Sequence, residues 1–169
     1  VSMLVSLGII EGKPDGSYAP TENVDRAQMA KMLSVIMNKG VDNSALYQSV
    51  NSGLTDITSN WAKGHINYCY TTGIIAGRGN GTFDPSATVT ALEAAKMLLV
   101  AVGYDPAIEG FEGADWAINV SVRADEQGIF EGFTKDLSAP LNRDDAALLI
   151  YNALDVEMIQ SYTTNNYPI

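Results

Sequence analysis

Apolar positions recur at i, i+3, i+4, i+7 and i+8 in three separate stretches of the chain. They are Met29, Met32, Leu33, Ile36 and Met37; then Ala94, Met97, Leu98, Ala101 and Val102; then Ala146, Leu149, Ile150, Ala153 and Leu154. This spacing predicts three amphipathic helices with one buried face each, and the three faces most simply bury against one another. Each stretch is entered through a residue able to accept from free helical N–H groups: Asp25, Thr90 and Asn142. Gln28, Glu93 and Asp145 follow three positions later. Thr90 with Glu93 reads as a full capping box and the other two pairs as variants of it. Shorter helices are predicted ahead of two of these, from Trp61 to Thr72 behind Ser59 or Asn60, and from Asp115 to Gln127. The glycine after each suits a left-handed C-cap.

The helices sit in a repeated frame. Gly8-Ile9-Ile10, Gly73-Ile74-Ile75 and Gly128-Ile129-Phe130 correspond, and Gly12, Gly77 and Gly132 follow them at equal spacing. A proline stands twelve residues beyond each first glycine, at Pro20, Pro85 and Pro140. Asp15-Gly16-Ser17-Tyr18 and Asn80-Gly81-Thr82-Phe83 are tight-turn signals. Trp61 and Trp116 each precede their glycine by twelve residues. The unit is therefore a short helix, a glycine stop, an extended loop with a turn, and a capped helix. The chain opens inside an apolar pattern, as expected of a piece cut from a longer precursor.

The surface is thinly charged, with 18% charged residues against about 25% in typical domains. It carries 20 acidic and 10 basic residues, a net charge of −10, which repels phosphate backbones and argues against nucleic-acid binding. No apolar run approaches the roughly 18 residues of a spanning helix, so membrane insertion is not expected. Cys69 is the only cysteine and His65 the only histidine, which leaves no disulfide and no Cys/His metal cluster. Asp15-Gly16 lacks the alternating ligands of a calcium loop, and Gly77-Arg78-Gly79 lacks the lysine of a phosphate loop. With no framed nucleophile and base, no catalytic residue, metal or cofactor is expected and the chain reads as a non-enzyme.

The order Trp-Ala, Gly-Ile-Ile-x-Gly, Gly-Thr-Phe-x-Pro and Val-Thr-x-x-Glu resembles the S-layer homology (SLH) repeat. The resemblance divides the chain into repeat 1 at 1–40 (truncated at its start), repeat 2 at 54–103, repeat 3 at 112–158, and a tail or linker at 159–169. It implies a mainly α fold: three tandem repeats in one pseudo-threefold, three-lobed body around a central three-helix bundle. It also implies non-covalent anchoring, outside the cell at a bacterial wall or surface layer, to an anionic secondary wall polysaccharide. That polymer often carries a ketal-linked pyruvate, and the family binds it in grooves between lobes. The family's arginine falls on Arg26 and Arg143, and repeat 2 has Ala91 there. Asp56, Trp61 and Trp116 match the family's Asp and Trp positions. Gly77 and Arg78 lie in the glycine loop, where Arg78 is a candidate substitute for the missing arginine.

The chemistry these residues offer is consistent with such a ligand. A guanidinium beside free helical N–H groups favours an anion and can grip a carboxylate through two bonds. An indole offers flat apolar area to sugar C–H groups, and glycines let backbone amides approach closely. The bland readings are a pairing of Arg26 and Arg143 with Asp25 and Asp144, and a packing of both tryptophans in lobe cores. Ala91 and the shortened third loop keep a second function in view, protein–protein contact or self-association in a surface layer with decayed grooves.

Overall fold

The computed structural model describes residues 1–169. The elements in chain order are α1 (Ser2–Ser6), α2 (Arg26–Met37), α3 (Ser44–Tyr47), α4 (Lys63–Thr71), α5 (Ala91–Ala101), α6 (Pro106–Glu109), α7 (Trp116–Glu126) and α8 (Arg143–Ala153). There are no strands beyond isolated bridges, so the body is all-α. None of the helices is long and apolar enough to cross a membrane.

Each long helix begins where its cap dictates. Asp25 accepts from the Gln28 N–H while Gln28 reaches back to the Asp25 N–H, so α2 has as complete a box as Thr90 and Glu93 give α5. Asn142 accepts from the Asp145 N–H at the start of α8, without the return bond. Of the two shorter helices, α7 runs as expected between Asp115 and Gln127, while α4 starts late. Asn60 spends its side-chain oxygen on the Ala62 N–H, and α4 starts only at Lys63, with no side-chain cap.

The residues just before α2, α5 and α8 meet at the centre in a closed ring of backbone hydrogen bonds. Val24 N–H donates to Leu141 C=O (2.9 Å), Leu141 N–H to Val89 C=O (2.7 Å), and Val89 N–H to Val24 C=O (3.2 Å). All three side chains are buried. Around this ring, each long helix docks its first free N–H groups on the loop of a neighbouring repeat. Ala27 N–H donates to Pro85 C=O, Asp144 N–H to Pro20 C=O, and Leu92 N–H to Leu137 C=O. Helix starts, which otherwise leave donors unpaired, thus become the joints between repeats.

These bonds also correct the repeat register. Leu137, not Pro140, occupies the place of Pro20 and Pro85. Pro140 instead bridges to Thr90, as Thr88 bridges to Asp25 and Asn23 to Asn142. From this contact to the arginine repeat 3 is as long as repeat 1 (Leu137 to Arg143, against Pro20 to Arg26), so the shortening of its loop falls earlier, between Gly132 and Leu137.

The three stripes do not form an evenly closed bundle. α5 packs against α2, α7 and α8, while α2 gives most of its face to α4. The diverging C-terminal ends of α2, α5 and α8 enclose an apolar pit of about 290 Å³ lined by residues such as Ile36, Leu98 and Ile150. The tail docks on the body: Ile159 N–H donates to Val102 C=O (2.7 Å) and the Tyr162 hydroxyl to Glu109. A Cβ at Gly103 would stand 2.2 Å from the Ile159 oxygen, and its φ of +109° disfavours any side chain.

Candidate functional site

Two clefts are built from corresponding parts. Cleft A has a volume of about 390 Å³ and combines the loop of repeat 1 (Ile9 to Pro14), Gln28, Lys31 and Met32 of α2, Trp61 from repeat 2, and Arg143 from repeat 3. Cleft B, about 490 Å³, combines the loop of repeat 2 (Ile74 to Arg78), Glu93, Lys96 and Met97 of α5, Trp116 from repeat 3, and Arg26 from repeat 1. Loop and helix positions correspond at a constant offset of 65 residues. Both volumes lie within the range of small-molecule sites, about 300–1,000 Å³.

The two arginines do the same work in each cleft. Arg26 donates from Nε to Phe83 C=O (2.8 Å) and from Nη2 to Ala76 C=O (2.6 Å), with its guanidinium 4.5 Å from the Phe83 ring centroid. Arg143 donates from Nε to Tyr18 C=O (2.8 Å) and from Nη2 to Glu11 C=O (2.8 Å), 5.1 Å from the Tyr18 ring centroid. Neither pairs with Asp25 or Asp144 within salt-bridge distance. The Nε–Nη2 edge, one of two a carboxylate could grip in bidentate fashion, is therefore spent on the neighbouring repeat's loop. Arg26 is only 4% exposed. Burial, and then the nearby Arg78, lower its pKa to about 10, so it remains charged at neutral pH.

The cleft cations that stand on the helix wall, and are not bonded to loop carbonyls, are lysines that no repeat motif marks. Lys31 and Lys96 stand one and a half turns into α2 and α5, on the cleft wall. Lys96 has no carboxylate within salt-bridge distance, and its ammonium lies 5.9 Å from the Trp116 ring centroid. Trp61 is 60% exposed on the rim of cleft A, which excludes a core role, while Trp116 is partly buried. Arg78 is exposed, 3.5 Å from Asp84, in the cleft that already holds Arg26. It therefore does not stand in for the arginine absent at Ala91.

Asp56 and Gly77 are committed to the loop itself. The Asp56 carboxylate accepts from Phe83 N–H (2.9 Å) and Asp84 N–H (2.8 Å), one on each oxygen. Burial pushes this carboxyl up, but the two N–H groups outweigh it and hold its pKa below the usual value. A Cβ at Gly77 would lie 3.0 Å from the Thr82 oxygen and 3.2 Å from the Tyr70 ring, so the missing side chain serves loop closure.

A third cleft would adjoin the loop of repeat 3, and there every cation is replaced. Ala91 stands at the arginine position, Leu148 at the Lys31 and Lys96 position, and Phe133 at the Lys13 and Arg78 position. Lys135, the nearby cation, is 2.5 Å from Asp145. The 65-residue offset carries Lys31 onto Lys96 in the sequence, a signal visible once the polar positions of the helices are compared as closely as the apolar ones.

The S-layer homology domain profile matches residues 1–30 and 53–95. Over 161 residues, 95% of this chain, the sequence is 30% identical to a cell surface protein of Thermoanaerobacter kivui. Over 110 residues (65% of the chain) it is 32% identical to S-layer protein EA1 of Bacillus anthracis. Over 92% of the chain it is 29% identical to an amylopullulanase of Thermoanaerobacterium thermosulfurigenes. The chain spans 20%, 12% and 9% of these three proteins respectively.

Proposed function

We propose that this chain, a module of S-layer homology repeats at the bacterial cell surface, anchors the protein that carries it by binding an acidic wall glycan in clefts A and B. The observation that carries the reading is charge placement. Six of the chain's 10 basic residues line these two clefts on a body of net charge −10: Lys13, Lys31 and Arg143 in one, Arg26, Arg78 and Lys96 in the other. A surface otherwise set against anions concentrates its cations where an indole also faces the space. That pairing suits a sugar that is flat and apolar on one side and bears a carboxylate, such as a pyruvate ketal.

Within this reading the arginines are positioning residues. They hold the loop of the next repeat in place and give the cleft its field, and the lysine on the helix meets the ligand carboxylate. The stretch shared with an amylopullulanase is also shared with surface-layer proteins, which supports a carrier role and not a catalytic one. The test is calorimetric titration with wall polymer before and after removal of its ketal acid. Binding should require the acid and weaken with salt, and equal binding to both polymers refutes the carboxylate mechanism. A second reading, protein contact or self-association, is favoured by the third position, where Ala91, Leu148 and Phe133 replace the cations of the other two clefts.

A further inference from the structure

We infer that the two clefts bind an acidic sugar unequally, because two carboxylates of the protein occupy the lysines of cleft A while their counterparts in cleft B are alanines. The inference rests on the reading of both clefts as glycan sites. Glu11 Oε2 lies 2.7 Å from Lys31 Nζ, and Glu22 is paired with Lys13. At the 65-residue offset that superposes the clefts, Glu11 becomes Ala76 and Glu22 becomes Ala87. Lys96 is accordingly free of any carboxylate, and Arg78 meets only Asp84 at 3.5 Å.

The acids that cleft B does hold are placed differently. Glu93 turns back to the Thr90 N–H as part of the α5 capping box, and Glu112 pairs with no cation. In cleft A, then, a ligand carboxylate must displace Glu11 to reach Lys31, whereas in cleft B it meets an open ammonium. Both pairs of cleft A are at the surface and so are weak individually. The expected difference is about 3- to 10-fold in affinity, with cleft B the tighter site. Glu11 and Glu22 act as resident competitors, and cleft A becomes the site that fills second.

The chain's two tryptophans make the test direct, since Trp61 reports cleft A and Trp116 reports cleft B. The probe is a monosaccharide bearing a pyruvate ketal, with its methyl ester as the uncharged control. It is titrated by calorimetry and by indole fluorescence of the whole chain and of Trp61→Phe, which leaves cleft B as the reporter. Two affinities are expected in the unsubstituted chain, the tighter one following Trp116. Glu11→Gln with Glu22→Gln should tighten the weaker site about 3- to 10-fold and leave the other unchanged. The reciprocal pair Ala76→Glu with Ala87→Glu should weaken cleft B by a similar factor. Equal sites in the unsubstituted chain, or a weaker site unmoved by the glutamines, overturns the inequality while leaving the glycan reading intact. No saturable difference between ketal acid and ester overturns both.

Discussion

Replacing Arg26 by alanine should destabilise the fold well before it informs on binding. Two carbonyl oxygens, of Phe83 and Ala76, lose a charged donor at 2.8 and 2.6 Å, and the Phe83 ring loses a cation 4.5 Å from its centroid. Hydrogen bonds from a charged donor contribute about 1.5–3 kcal/mol each, and the ring contact about 0.5–1 kcal/mol more. Against this, the variant no longer desolvates a nearly buried guanidinium, a cost of several kcal/mol. The balance is a loss of about 3 kcal/mol, or a fall in Tm of roughly 6–12 °C for a chain of this size. Arg143→Ala removes the same two bonds from a half-buried position, where water can satisfy the freed carbonyls, and should cost about 1 kcal/mol. Arg26→Lys retains charge without the planar fork and should fall between Arg26→Ala and the unsubstituted chain. Thermal and urea unfolding followed by circular dichroism ranks the three. A Tm for Arg26→Ala within about 2 °C of the unsubstituted chain would refute the view that this arginine fastens repeat 1 to repeat 2.

Other expectations separate binding from stability. Lys96→Ala should weaken binding of a ketal-bearing glycan about tenfold with little change in Tm, since Lys96 has no carboxylate partner and loses only a long contact with the Trp116 ring; equal affinity would remove it from the site. His65 is buried against Ser34, and burial holds its pKa below 6.5 despite the opposing pull of Asp42. The unfolded chain therefore binds this proton first on acidification. Stability is complete above about pH 6.5 and declines as pH falls through the folded-state value, and His65→Gln should flatten that slope in urea titrations from pH 7 to 5. Burial pushes the Cys69 thiol up to about 12, so a maleimide should label it only as fast as the chain opens, and labelling at the rate of a free thiol would contradict the packing. Gly103→Ala should lower Tm by several degrees by forcing the tail away at Ile159, and an unchanged Tm would show that the docked tail adds no stability.

The helices and their starting points were legible in the sequence because capping and amphipathic spacing are local. Asp25, Thr90 and Asn142 each act within three residues of themselves. The clefts were legible only in part. Arg26, Arg143 and both tryptophans were found by motif, but what Arg26 and Arg143 touch lies 50 to 132 residues away. Their bonds go to backbone carbonyls, which every residue carries and no side-chain pattern reveals. For the same reason the shift of Pro140 out of register could be seen only from the N–H of Leu92 resting on Leu137. Residue type and order settled the three-repeat plan and the concentration of cations at a few positions. Only the closed ring through Val24, Leu141 and Val89, which turns each repeat's helix start toward the loop of the next repeat, decided which of those cations are spent on the fold and which face a ligand.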